Sequence, residues 1–214
     1  MKNFIKDNKI SFIIVSICLL LIILVSSFVI ISGEFLLDNI VYEFLINNFS
    51  CSFVDKFMIT ITKLGNTNFV ILFSSFIFFL FLIGLKEKKL SFFYIFSVGV
   101  ITFMNQFLKF TIKRVRPSVN RLIEIGGYSF PSGHAMVSTV LYGLLAYIAY
   151  KCIKVSWFRN IIVAINILII LLIGISRIYV GVHYFSDVIV GFLISVIFLV
   201  FIIGILERKV FSQN

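Results

Sequence analysis

Charge is scarce in this sequence. Asp, Glu, Lys and Arg make up only 13% of its 214 residues, while 61% are hydrophobic and the mean hydropathy is +1.14. So little polar surface excludes a fold built around one water-soluble core and points to a bilayer. Cysteine is equally sparse. Cys18, Cys51 and Cys152 fall in the first apolar run, the loop after it and the far end of the fourth run, so no two share a compartment and no intramolecular disulfide is expected. There is no internal repeat, no linker rich in Pro, Gly or Ser and no long polar tail, so residues 1–214 read as one domain. The apolar runs also lack alternation with period two, which excludes barrel strands and leaves helices.

What is abundant is uninterrupted apolar length. Asp, Glu, Lys and Arg are missing from residues 10–31, 64–85, 90–108, 135–150, 160–176 and 188–206. A helix crosses the hydrocarbon core with about 17–25 residues, and the fourth run can borrow neighbours. Spans are therefore expected at about 10–31, 66–85, 90–109, 134–151, 160–177 and 187–206. The first run exceeds a signal-peptide core of roughly 7–15 residues and no Ala-x-Ala type site follows, so it reads as a retained anchor. The fold class is an all-α integral membrane protein, a six-helix transmembrane bundle.

An even number of spans puts both termini on one side, with the loops around 86–89 and 151–159. That side carries Lys2, Lys6, Lys9, Lys86, Lys88, Lys89, Lys151, Lys154, Arg159, Arg208 and Lys209 against Asp7, Glu87 and Glu207, which makes it cytoplasmic. The first outer loop fits, with Glu34, Asp38, Glu43 and Asp55 against Lys56 and Lys63. Its apolar Phe35, Leu36, Ile40, Phe44 and Leu45 predict a helix lying on the outer surface. The second outer loop breaks the rule, setting Lys109, Lys113, Arg114, Arg116 and Arg121 against Glu124 alone. A basic patch against anionic headgroups would explain it without chemistry.

The rare residues argue otherwise. Both prolines, Pro117 and Pro131, and both histidines, His134 and His183, fall at this same face, where Lys109 ends the third span, Arg177 ends the fifth and Asp187 opens the sixth. Lys109, Arg116 and Arg177 can neutralise and orient a phosphate dianion. Gly133 admits close backbone approach, a helix starting at residues 131–134 aims free amides at the anion, and Ser132 can add a hydroxyl donor. Asp187 lies one helical turn beyond His183, placed to accept its Nδ1 proton and leave Nε2 as a nucleophile. His134 is then the general acid for the leaving oxygen and afterwards the base toward water. No His or Cys cluster accompanies them and Asp187 is the sole motif carboxylate, so no metal or cofactor is expected.

These residues resemble the type 2 phosphatidic acid phosphatases, or lipid phosphate phosphatases, which share a phosphate pocket with vanadium haloperoxidases. The three signature parts are KFTIKRVRP at 109–117, PSGH at 131–134 and SRIYVGVHYFSD at 176–187. MITITKLGN at 58–66 also resembles the lead into the second span of small bacterial members. The resemblance implies a six-helix bundle, an active site at the outer membrane face and a phosphohistidine at His183. It further implies a bacterial plasma-membrane enzyme that cleaves a phosphate or diphosphate monoester of a phospholipid or polyprenyl lipid. Phosphatidate, phosphatidylglycerol phosphate and undecaprenyl pyrophosphate are all compatible, and no nucleic-acid partner is expected. A phosphotransferase would use the same first half-reaction. A non-enzymatic lipid-phosphate binder or translocase would need the cations but not His134, His183 and Asp187 together. Oligomeric state leaves no mark on the sequence.

Overall fold

The computed structural model describes residues 2–33 and 35–210, with side chains from Lys9 onward; Glu34 and the side chains of Lys2, Lys6 and Asp7 lie outside that description. Among the described residues all regular structure is helical: α1 Lys2–Ser32, α2 Leu37–Phe49, α3 Ser52–Lys63, α4 Thr67–Phe79, α5 Lys88–Ile112, α6 Gly133–Cys152, α7 Ser156–Tyr179 and α8 Phe185–Lys209. A π-helical turn, Leu80–Gly84, prolongs α4. Six segments are long and apolar enough to span a membrane: Lys9–Ser32, Thr67–Gly84, Lys88–Ile112, Gly133–Cys152, Ser156–Tyr179 and Phe185–Lys209.

Helix α6 is the axis of the bundle and packs against α5, α7 and α8, while α1 lies on α8 and α4 on α5. Its sequence explains the place. Ala135, Ser138, Thr139, Gly143 and Ala146 are small, which lets neighbouring backbones approach closely where lipid tails offer no hydrophobic drive between helices. Met136, Val140, Leu141 and Leu144 fill the spaces between, with Tyr94, Ile101, Ile173 and Leu206 from the surrounding helices. Buried hydroxyls are satisfied internally, as an apolar surround requires: Tyr94 donates to the Leu141 carbonyl at 3.3 Å and Ser195 to the Met136 carbonyl at 3.0 Å.

Between α1 and α4 the sequence predicts one surface helix, and the structure has two. Helix α2 packs on α7 and α8, and α3 packs on α7. The α3 segment escapes an apolar-run search because Asp55, Lys56 and Lys63 interrupt it. Yet it buries Val54, Met58 and Ile59 against Tyr179, Val180 and Val182, while Asp55 accepts the Tyr179 hydroxyl at 2.6 Å. The α5–α6 connection, residues 113–132, is irregular and pinned by bonds from Ser129 N to Arg114 O and from Leu122 N to Val180 O. One end of the bundle thus gathers the last turns of α5 and α7, the first turns of α6 and α8, α2, α3 and this loop.

Candidate active site

The site grows from the first turn of α6. Ser132 is its N-cap, with Oγ accepting the Ala135 amide at 3.5 Å. The sequence expects that hydroxyl to face phosphate; the structure instead buries Ser132 as a cap, outside the residues that line the cavity. Gly133 follows because nothing larger fits: a Cβ there would stand 2.7 Å from Asn105 Oδ1. Asn105 is itself fixed, donating through Nδ2 to the Pro131 carbonyl at 3.0 Å. The first-turn amides at Gly133 and His134 have no intrahelical partner by geometry, and the helix dipole makes this end attractive to an anion.

Three cations line the same cavity as Gly133, His134 and His183. Lys109, in the last turn of α5, donates to the Tyr128 carbonyl at 2.6 Å. Arg116 reaches in from the irregular loop, its Nε held by the carbonyls of Gly126 and Gly127 at 3.2 and 3.1 Å and its Nη1 by that of Val182 at 2.8 Å. Burial pulls its pKa down, the Asp187 carboxylate acts the other way, and Arg121 lowers it again. Arg177, in the last turn of α7, is fully buried. Nη1 donates to Thr62 Oγ1 at 2.5 Å, while Nε and Nη2 have no hydrogen-bond partner among the described residues. Two buried guanidinium donors left unpaired are costly, and an anion's oxygens are the natural acceptors.

His183 lies in the short turn between α7 and α8. Its Nδ1 is 3.3 Å from Asp187 Oδ2, and its Nε2 is 3.3 Å from Arg116 Nη1. A guanidinium carries only donors, so the ring is ordered with its proton on Nδ1 and its lone pair on Nε2. Burial, then the charges of Arg177, Arg116 and Lys109, hold its pKa well below the ordinary imidazole value, against one opposing hydrogen bond to the Ser129 backbone. These influences favour the neutral ring over the imidazolium. Asp187 stands behind it, outside the cavity lining, and takes the Tyr184 amide on Oδ2 at 3.0 Å.

Arg114 completes the arrangement. It lies inside the Lys-x6-Arg-Pro stretch, yet faces away from the cavity. Nη1 donates to Asp187 Oδ1 at 2.7 Å and to Ser186 Oγ at 2.7 Å; Nη2 donates to Asp38 Oδ2 at 2.8 Å and to the Gly33 carbonyl at 3.1 Å. The Tyr184 ring stacks on it, 3.9 Å from centroid to Cζ. Thr62 and Asn66 fall in the MITITKLGN stretch and Arg114 in KFTIKRVRP, but nothing in the sequence assigns these residues, Asp38 or Asn105 a part in the site. Their partners lie between 26 and 115 positions away, and only folding brings them together.

The cavity encloses about 480 Å³ and continues away from the charged end between α4 and α5, past Val70, Ile71, Ser74, Thr102, Val98 and Ile95. From Lys109 to Ile95 the α5 axis advances by about 20 Å at 1.5 Å per residue. An oxyanion cradle with a carboxylate-backed imidazole thus heads an apolar slot reaching deep into the bundle. That is a site for phosphoryl transfer from a molecule with a long apolar tail.

Known proteins share the family and fold of this chain. Phosphatidylglycerophosphatase B of Bacillus subtilis (strain 168) is 36% identical over 118 residues, an alignment spanning 54% of this chain and 58% of that relative's length. The crystal structure of a transmembrane PAP2 type phosphatidylglycerolphosphate phosphatase from Bacillus subtilis superposes with a TM-score of 0.83 at 25% identity, covering 91% of this chain and 96% of that one. Aquifex aeolicus LpxE superposes with a TM-score of 0.63 at 28% identity, covering 80% and 97%. The PAP2 superfamily model matches residues 90–211, a stretch that contains all three signature segments, and the chain belongs to the PAP2 superfamily.

Proposed function

We propose that this chain is a lipid phosphatase of the bacterial plasma membrane that removes a terminal phosphate through a phosphohistidine at His183. The observation that carries the reading is the buried Arg177 with two unpaired donors, beside the Asp187-backed His183 at the head of an apolar slot. The tail lies between α4 and α5, and the phosphate meets Lys109, Arg116, Arg177 and the amides of Gly133 and His134. Nε2 of His183 attacks phosphorus, the bond to the leaving oxygen breaks, and His134 protonates that oxygen. Asp187 holds the imidazole in the attacking tautomer and offsets its developing positive charge. His134, now neutral, takes a proton from water as it attacks the phosphohistidine, which frees His183 and releases phosphate. Side chains supply all the positive charge this scheme uses, so turnover is expected to survive a chelator.

Phosphatidylglycerol phosphate is the first substrate to test, because a curated relative and a matching solved structure are both named for acting on it. Phosphatidate and undecaprenyl pyrophosphate present the same terminal group to the cradle. We place the site on the extracytoplasmic face with both termini in the cytoplasm, since the opposite end of the bundle carries Lys86, Lys88, Lys89, Lys151, Lys154 and Arg159.

The test is phosphate release from the three purified lipids in competition, followed by acid quenching to trap phosphoenzyme. Wild type is expected to release phosphate and His183→Ala to trap none. His134→Ala is expected to trap some from an ester with a good leaving group. Undiminished release by His183→Ala removes the nucleophile assignment, and transfer of phosphate to an acceptor other than water makes the chain a phosphotransferase.

A further inference from the structure

His134 borders two cavities. One is the slot already described; the other, of about 440 Å³, is lined by polar groups including Lys63, Asn66, Asn68 and Glu124. The imidazole lines both, and what holds it there is the turn joining α3 to α4. Asn66 Oδ1 lies 2.9 Å from His134 Nε2. Gly65, one residue earlier, packs so close to the ring that a Cβ would come within 2.7 Å of His134 Cδ2.

The turn is rigid enough for that task. Its backbone closes through bonds from Gly65 N to Thr62 O and from Asn66 N to Lys63 O, both 3.1 Å, and the Tyr142 hydroxyl of α6 donates to the Leu64 carbonyl at 3.2 Å. The Asn66 carbonyl also receives the Val70 amide at 2.9 Å, which starts α4. An exposed side chain on a mobile loop would lose its bond to water. On this turn, Asn66 presents a fixed acceptor.

We infer that Asn66 is a positioning residue for the general acid. An imidazolium has only donors, so an oxygen at Nε2 stabilises and orients the protonated ring. With Nε2–H committed to Asn66, Nδ1 is the nitrogen that passes a proton to the leaving oxygen and later takes one from water. Acid catalysis demands this placement, because proton transfer requires hydrogen-bond reach of the reacting oxygen. The inference rests on the phosphatase reading and on His134 as its acid.

The test separates acid placement from general disturbance through the leaving group. Octyl phosphate expels an alkoxide that must be protonated; 4-octyl-2-nitrophenyl phosphate expels a stabilised phenolate that needs little help. Asn66→Ala is expected to lower kcat/KM on octyl phosphate by about 10²-fold, the lower end of a general acid's contribution, with a much smaller loss on the nitrophenyl ester. Asn66→Asp, which keeps an oxygen at that point, is expected to recover most of the octyl phosphate activity. His134→Ala calibrates the full leaving-group effect, and phosphoenzyme trapped from the nitrophenyl ester shows that each variant is folded. Equal losses on the two esters, or an Asp variant no better than Ala, overturn the role of Asn66 while leaving the phosphatase intact. No release by wild type from either ester removes the phosphatase reading and this inference with it. A leaving-group-independent loss in His134→Ala removes the acid assignment and again Asn66's role.

Discussion

The Arg114 guanidinium, 8% exposed, sits between two carboxylates at 2% and 0% exposure, Asp38 and Asp187. Burying one charge alone costs several kcal/mol, so each member of this trio depends on the others. Through Asp187 the trio reaches His183, and with His183 as the proposed nucleophile Arg114 and Asp38 are its positioning residues. Arg114→Lys keeps the charge but loses the planar fork that spans both carboxylates. It is expected to lower kcat/KM by about 10- to 100-fold, a loss of about 1.4–2.7 kcal/mol of transition-state stabilisation. Arg114→Met strands two buried carboxylates and is expected to destabilise the fold by about 3–5 kcal/mol, read as a lowered unfolding midpoint in detergent. His183 supplies a second expectation at this scale. Attack requires the neutral ring, and its pKa is held down by burial and three cations. His183 limits activity only on the acid side, where protonation removes its lone pair, so the acid limb of kcat/KM should lie below the ordinary imidazole value of about 6.5. The profile must first be corrected for the substrate phosphate's own ionisation near about pH 6.

At the scale of elements, α6 carries both the core and the anion site. Its first turn is fixed from three sides: by its Ser132 cap, by Asn105 of α5, and by the bond from Ser132 N to the Asp187 carbonyl of α8 at 3.0 Å. Gly133→Ala is the sharpest probe. The added methyl meets Asn105 Oδ1 at 2.7 Å, so the helix start or the amide must move. Displacement by a few tenths of an ångström at a preorganised oxyanion site is expected to lower kcat by about 10²-fold or more, while the unfolding midpoint shifts little. A matching fall in stability would instead make Gly133 a packing residue. The elements themselves were largely legible. Charge-free runs located the six spans because a bilayer penalises every charge inside it, and the observed ends differ by a few residues. Helix α7 begins at Ser156 rather than 160, since an interfacial turn accommodates Trp157 and Arg159. Helix α3 was not legible, because a helix half buried on protein needs only one apolar face. In the site, the motif residues announce themselves by spacing within a single turn or loop. Arg114, Asn66 and Thr62 lie in stretches that resemble the family, yet their parts are not legible there, since their meaning lies in partners on other helices.

The whole molecule is electrically lopsided, and its cysteines report which way it stands. The end away from the cradle carries the loops around 86–89 and 151–159, and retaining their lysines and arginines in the cytoplasm is what the positive-inside rule demands. The cradle end also holds cations, but several are absorbed by the site: Arg114 by two carboxylates, Lys109 and Arg116 by carbonyls and the cavity. Lys56, Lys63, Lys113 and Arg121 of that end stand against Glu43, Asp55 and Glu124, so the larger excess of positive charge is on the opposite face. Cys51 is exposed at the start of α3, on the cradle side, and Cys152 is exposed at the last turn of α6, on the other; Cys18 is buried within α1. A membrane-impermeant maleimide applied to intact cells is expected to modify Cys51 alone, and to reach Cys152 only after the membrane is opened. Cys51→Ser should abolish the first signal and Cys152→Ser the second. The reverse pattern would put the phosphate site in the cytoplasm, and the basic loops at the far end would then need a purpose other than orientation.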